Sequence, residues 1–173
     1  KLIDTGVVDA DILYGSWAGA FGNFQFMPST IKNYALDYNN DGLIDLKSNV
    51  DSFASAANYI NKLGWINENP CFYKIKLKNN IPPKYLNTSA KKIKNKRKLK
   101  SFKKYIVDYD KIKINENLMT GIITPDREIV ENSMLLEPAY LVFDNYELIL
   151  KWNRSLRFAL AVCTLKDKFK NEL

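Results

Sequence analysis

Apolar residues recur at three- and four-residue intervals in two early stretches of the chain. After Pro28 and Ser29, a helix-start signal, Ile31, Tyr34 and Ala35 follow at helical spacing. Phe53, Ala56, Ala57, Ile60 and Leu63 repeat the pattern through "VDSFASAANYINKLGW", with Asp51 as its cap and Gly64 as its stop. Beyond Trp65 the period shortens to two. Tyr73, Ile75 and Leu77 alternate with Lys74 and Lys76, which predicts a half-buried strand, and Pro82 and Pro83 then break regular structure. "AYLVF" and "YELIL" flank Asp144 and Asn145 and predict a hairpin, though without the glycine that strengthens such a turn. Phe158, Val162, Leu165 and Phe169 form one stripe of a closing helix, with Asn153 or Ser155 as cap. Helices, then a small sheet, then a returning helix predict an α+β chain organised as residues 1–65, 66–150 and 151–173.

Composition refines this picture. A chain of 173 residues with 46% hydrophobic residues can bury a real core, and its formal charge of +7 favours an anionic partner. The excess concentrates in "AKKIKNKRKLKSFKK", residues 90–104, where nine of fifteen residues are Lys or Arg. Like charges repel and resist packing, so a solvated, mobile loop is expected there, with Ile93, Leu99 and Phe102 leaving room for a short helix. The run lacks the interleaved aromatics that nucleic-acid binding wants, and no nucleic-acid partner is expected. The chain has no histidine, which excludes a histidine-based triad and removes the commonest zinc ligand. Cys71 and Cys163 are too few for a disulfide scaffold, and Cys163, within an apolar helical pattern, is expected to be a small core residue rather than a partner of Cys71. No apolar run approaches a membrane span, and the start has neither an initiator Met nor a leader pattern, as in a processed product or a fragment.

Candidate chemistry lies in "GSWAGAFGNFQFMPSTIKNYALDYNNDGLID", residues 15–45. Glycines at 15, 19 and 22 permit close backbone approach to a flat ligand or a neighbouring helix, while Trp17 and Phe21 offer surfaces for a sugar face or for core packing. Gln25, between two phenylalanines, needs either a core partner or a hydroxyl-rich ligand, since an unpaired buried amide costs about 1–3 kcal/mol. Asp37, Asn39 and Asp41 occupy positions one, three and five of a calcium-type loop, with Gly42 at six and the Leu43 carbonyl at seven. Position twelve, where an EF-hand has glutamate, is Ser48, leaving Asp45 and Asp51 to close the shell. An Asx-type turn without metal is the alternative.

Three separated motifs, in order, carry a resemblance. "YGSWAGAFGNFQFMPSTIKNYALDYNNDGLIDL", "ASAANYINKLGW" and "YELILKWNRSLRFALAV" resemble the membrane-bound lytic murein transglycosylase B family, densely over residues 11–65 and 138–165 and vaguely between. The resemblance implies a lysozyme-like fold and cleavage of the β-1,4 bond between N-acetylmuramic acid and N-acetylglucosamine in peptidoglycan. In that family one glutamic acid protonates the leaving oxygen and then, as carboxylate, helps the muramyl C6 hydroxyl attack the anomeric carbon, giving a 1,6-anhydro sugar. One acid of raised pKa suffices, unlike the two-carboxylate hydrolases.

Carried over by position, the resemblance implies glycan contacts by Gly15, Ser16, Gln25, Trp152, Asn153 and Phe158. It implies a structural calcium at Asp37, Asn39, Asp41, the Leu43 carbonyl and Asp51. It further implies peptidoglycan strands as partner, a monomer, and a periplasmic or outer-membrane-associated location, with membrane attachment only through a leader or anchor. Trp152 and Phe158 stand where tyrosines are common, and Asn23 replaces a usual glutamine. The family's glutamate precedes the "GSWAGA" motif by tens of residues. Here "KLIDTGVVDADILY" holds Asp4, Asp9 and Asp11 and no glutamate, so the groove is expected without its proton donor. A non-catalytic peptidoglycan-binding module is the alternative reading.

Overall fold

The computed structural model describes residues 15–127 and 136–172. The chain forms two compact units, Lys1–Trp65 and Ile66–Leu173. Asp4, Asp9 and Asp11 lie outside the described residues.

The first unit holds helices α1 (Pro28–Tyr34) and α2 (Asn49–Lys62). Pro28 opens α1 where its missing N–H costs nothing. Helix α2 starts earlier than its apolar pattern suggests, because Ser48 caps it, its Oγ accepting from the Val50 amide at 3.2 Å. Asp51 therefore falls inside the first turn, on the buried face, with Ser52, Ser55, Ala56 and Tyr59. That face is polar because it meets loop backbone. Leu36 donates to Ser55 Oγ at 2.9 Å, and Tyr38 and Asp45 donate to the two oxygens of Asp51 at 2.9 Å each. Phe53, expected in the core, is exposed and meets Phe24 edge-on with ring centres 5.1 Å apart. Phe21, Phe26, Ile31, Leu46 and Tyr59 make up the core of this unit.

The second unit is built on a small sheet of β1 (Phe72–Ile75), β2 (Leu86–Asn87), β3 (Arg97–Lys98), β4 (Met119–Ile123) and β5 (Ala139–Val142). The strand order is β1-β5-β4-β2 and β3 pairs with β4; among the described residues β2–β4 is parallel and the other strand pairs are antiparallel. Helices α3 (Asp144–Trp152) and α4 (Leu156–Glu172) follow. Ile75, Leu77, Ile122, Leu141 and Phe143 pack with Leu99, Phe102 and Ile106 in one core cluster.

Four expectations are corrected here. "YELIL" belongs to α3, not to a hairpin. Tyr146, Leu148, Ile149 and Leu150 are all buried, and an apolar run buried on most sides carries no period that separates strand from helix. Asn145 fixes the helix start, donating to the Ile66 and Asn69 carbonyls and accepting from the Ile66 amide. Cys71 and Cys163 form a disulfide, tying α4 to the residue before β1. With Cys163 facing inward, the buried side of α4 is Leu156, Ala159 and Cys163, and the stripe of Phe158, Leu165 and Phe169 is exposed. Finally, the basic run is ordered. Ile93, Leu99 and Phe102 are buried, residues 99–105 form a 3-10 helix, and Lys96 pairs with Asp144 at 2.8 Å and with Glu147.

Candidate functional site

In the first unit, Gly15 to Phe26 form a turn followed by a tight hairpin. Ser16 donates its amide to the Ala20 carbonyl at 2.8 Å, accepts from Gly19 at 2.8 Å, and takes the Ala20 amide on its Oγ at 3.2 Å. A Cβ at Gly15 would lie 2.7 Å from the Ala20 oxygen, so only glycine closes this turn. Phe21 and Phe26 exchange backbone bonds of 2.9 and 2.8 Å, leaving residues 22–25 as the connection. Gly22 has φ +76, and a side chain there would collide with Leu46 at 2.6 Å.

Within this frame Gly15, Ser16, Trp17 and Gln25 are exposed, and Trp17 is fully so. Gln25 is not a core amide. It sits at φ 51 and its Nε2 donates to the Gly22 carbonyl at 2.9 Å, which holds the side chain against the hairpin. Phe21, the other candidate sugar platform, is buried and serves the core instead. Asn23 donates to the Lys47 carbonyl at 3.0 Å and to Ser52 Oγ at 3.3 Å, tying the hairpin to the loop before α2.

That loop carries the candidate metal ligands. Asp37 accepts from Asp41 at 3.2 Å and Gly42 at 2.8 Å, Asn39 accepts from Asp41 at 3.3 Å, and Asp41 accepts from Leu43 at 2.9 Å and from Asn39 Nδ2 at 2.8 Å. Gly42 supplies the turn at φ +90. Among the described residues no three acidic, histidine or cysteine groups are placed to hold a metal ion. The donor chemistry still suits calcium, because each carboxylate oxygen engaged by one amide keeps a second lone-pair direction. Asp51 differs from the rest. It is 1% exposed and anchors the loop backbone at Tyr38 and Asp45.

In the second unit, Trp152, Asn153 and Phe158 surround the joint between α3 and α4. Asn153 ends α3 in extended conformation, its amide bonding the Ile149 carbonyl at 3.0 Å and its side chain exposed. Ser155 rather than Asn153 caps α4, accepting from the Phe158 amide at 3.2 Å. Trp152 is half-buried and Phe158 exposed. Tyr146, which the sequence did not single out, fastens this joint: its buried hydroxyl donates to the Leu156 carbonyl at 2.7 Å. Burial pushes that phenol far above its ordinary range, and Tyr140 adds to the effect. Arg157, bonded to Asp126 at 2.6 Å, and the Cys71–Cys163 bridge hold α4 from its other sides.

Several known proteins are similar to this chain. Membrane-bound lytic murein transglycosylase B of Escherichia coli is 52% identical over 54 residues, 31% of this chain and 15% of that protein. SltB3 of Pseudomonas aeruginosa, solved with NAG-anhNAM-pentapeptide, superposes with a TM-score of 0.78 at 31% identity over 98% of this chain and 43% of its own. Escherichia coli lytic transglycosylase Slt35, solved with calcium, gives a TM-score of 0.66 at 25% identity over 88% of this chain and 45% of its own. The chain spans less than half the length of each of these relatives. Its α+β architecture is the lysozyme-like one of the lytic transglycosylases. The family model described as "Transglycosylase SLT domain" matches residues 1–167, and the chain belongs to that family.

Proposed function

We propose that this chain is the glycan-holding portion of a peptidoglycan lytic transglycosylase. The observation that carries the reading is the exposed loop of Ser16, Trp17 and Gln25, whose backbone is braced by bonds between Ser16 and Ala20, Gly19 and Ser16, and Gln25 and Gly22. Trp17 offers an aromatic face to the apolar face of a sugar, and Ser16 and Gln25 offer hydroxyl and amide groups to its hydroxyls.

In the reaction, the bond from the anomeric carbon to the leaving O4 breaks as an acid protonates O4. The muramyl O6 then bonds the anomeric carbon and gives its proton to the conjugate base, closing the 1,6-anhydro ring. Residues 1–14 hold three aspartates and no glutamate. On this reading the 173 residues bind the glycan and do not themselves supply the acid. The loop of Asp37, Asn39, Asp41 and the Leu43 carbonyl takes a structural calcium, a role supported by its donor set and by the calcium-bound neighbour. The Cys71–Cys163 disulfide suits an oxidising compartment such as the periplasm. Among the described residues no helix is long and apolar enough to cross a membrane.

Titrating the NAG–NAM disaccharide into the chain and its Trp17→Ala variant tests the reading. Binding is expected, weakened about tenfold in the variant by loss of one stacking face. A disaccharide that does not bind, or that binds both proteins equally, would remove the assignment.

A further inference from the structure

The basic run and the end of α3 enclose a cavity of about 280 Å³ that the glycan-holding loop does not use. Its rim carries Lys91, Lys92, Lys151 and Arg154, all exposed, and its floor is the buried Ile93 and Leu150. Among the described residues the four cationic side chains have no hydrogen-bond or ion-pair partner, whereas Glu147, the carboxylate in the lining, is engaged by Lys96. The backbone presenting them is fixed. Asn87 accepts from the Lys94 amide at 2.7 Å and donates to the Ile122 carbonyl at 2.9 Å, clamping the run to the sheet, and Asn95 donates to the Lys84 carbonyl at 2.6 Å.

We propose that this cavity, ringed by Lys91, Lys92, Lys151 and Arg154 over Ile93 and Leu150, binds the carboxylates of the acidic peptide carried by the glycan. The inference rests on the peptidoglycan reading, since that glycan brings the peptide. Four separated positive charges around an apolar floor match carboxylates spaced by aliphatic side chains. The volume, at the small end for ligand pockets, suits a short peptide segment rather than a sugar strand. Among the described residues the lining offers no aromatic ring for a base to stack on, which disfavours single-stranded nucleic acid.

The test compares three ligands by calorimetry with the 173-residue chain: the NAG–NAM disaccharide, its pentapeptide form, and the pentapeptide form with its carboxylates amidated. The free-carboxylate ligand is expected to bind about five- to tenfold more tightly than the amidated one at low salt, with the advantage shrinking as salt rises. Lys92→Gln/Lys151→Gln should remove most of that advantage and leave disaccharide affinity and melting temperature unchanged. Equal affinity for the amidated and free forms, or an advantage that survives the double substitution, overturns the proposal while leaving disaccharide binding intact. Failure of all three ligands to bind overturns the peptidoglycan reading as well. An oligonucleotide that binds more tightly than the pentapeptide and loses affinity in the same double variant overturns the choice of ligand.

Discussion

Tyr146 shows how much of the candidate site depends on single polar groups inside the fold. Its hydroxyl is the partner of the Leu156 carbonyl, so Tyr146→Phe leaves that acceptor unpaired and should cost about 1–3 kcal/mol in urea unfolding. The same residue sets a pH dependence. An unfolded phenol titrates near 10 and the folded one higher, so the unfolded state loses its proton first as pH rises. Stability from this group is whole below about pH 10 and declines above it as pH climbs toward the folded value. The alkaline decline should be shallower in Tyr146→Phe; equal slopes would show that the burial of this phenol is not felt. Gln25→Ala should weaken disaccharide binding about fivefold, the worth of one hydrogen bond, with no loss of melting temperature, because the side chain is exposed. Unchanged affinity would take Gln25 out of the site. The candidate residues themselves were legible as types at a spacing. The roles of Asp51 and Tyr146 were not, since each role is a bond to backbone that only the folded chain brings near.

At the scale of elements, legibility followed how unambiguous each period was. Helices α1 and α2 and strand β1 carried clear signals of cap, period or alternation. The segment "YELIL" did not, because α3 buries residues on most of its circumference and the apolar run fits either period. Helix α4 carries two apolar rows, and the row chosen from sequence is the exposed one; the disulfide decides which faces inward. That bridge closes a separation of 92 residues, so the Cys71→Ala/Cys163→Ala variant should lose roughly 2–5 kcal/mol in denaturant titration. A loss below 1 kcal/mol would mean that packing alone holds α4. In the basic run nine charges conceal three apolar anchors, Ile93, Leu99 and Phe102, that bury completely enough to order it. For the loop of residues 37–45, calcium at about a hundred times its Kd should add about 2.7 kcal/mol of stability over a chelator control. Coincident melting curves would leave the loop as a turn closed by its own amides.

For the whole molecule, family membership was carried by three motifs whose order and spacing few unrelated chains would share. Residues 66–137, between the second and third motifs, are faint in sequence because they are assembled around strands as short as two residues. The central claim is that these 173 residues hold peptidoglycan without performing its cleavage. The most direct measurement incubates the chain with purified peptidoglycan, quantifies the protein retained on the insoluble wall, and assays the supernatant for 1,6-anhydromuropeptides by mass spectrometry. The account predicts retention, reduced by Trp17→Ala, and no anhydro product. Release of anhydro product would contradict it by showing that an acid within these residues completes the reaction, and absence of retention would contradict the binding role itself.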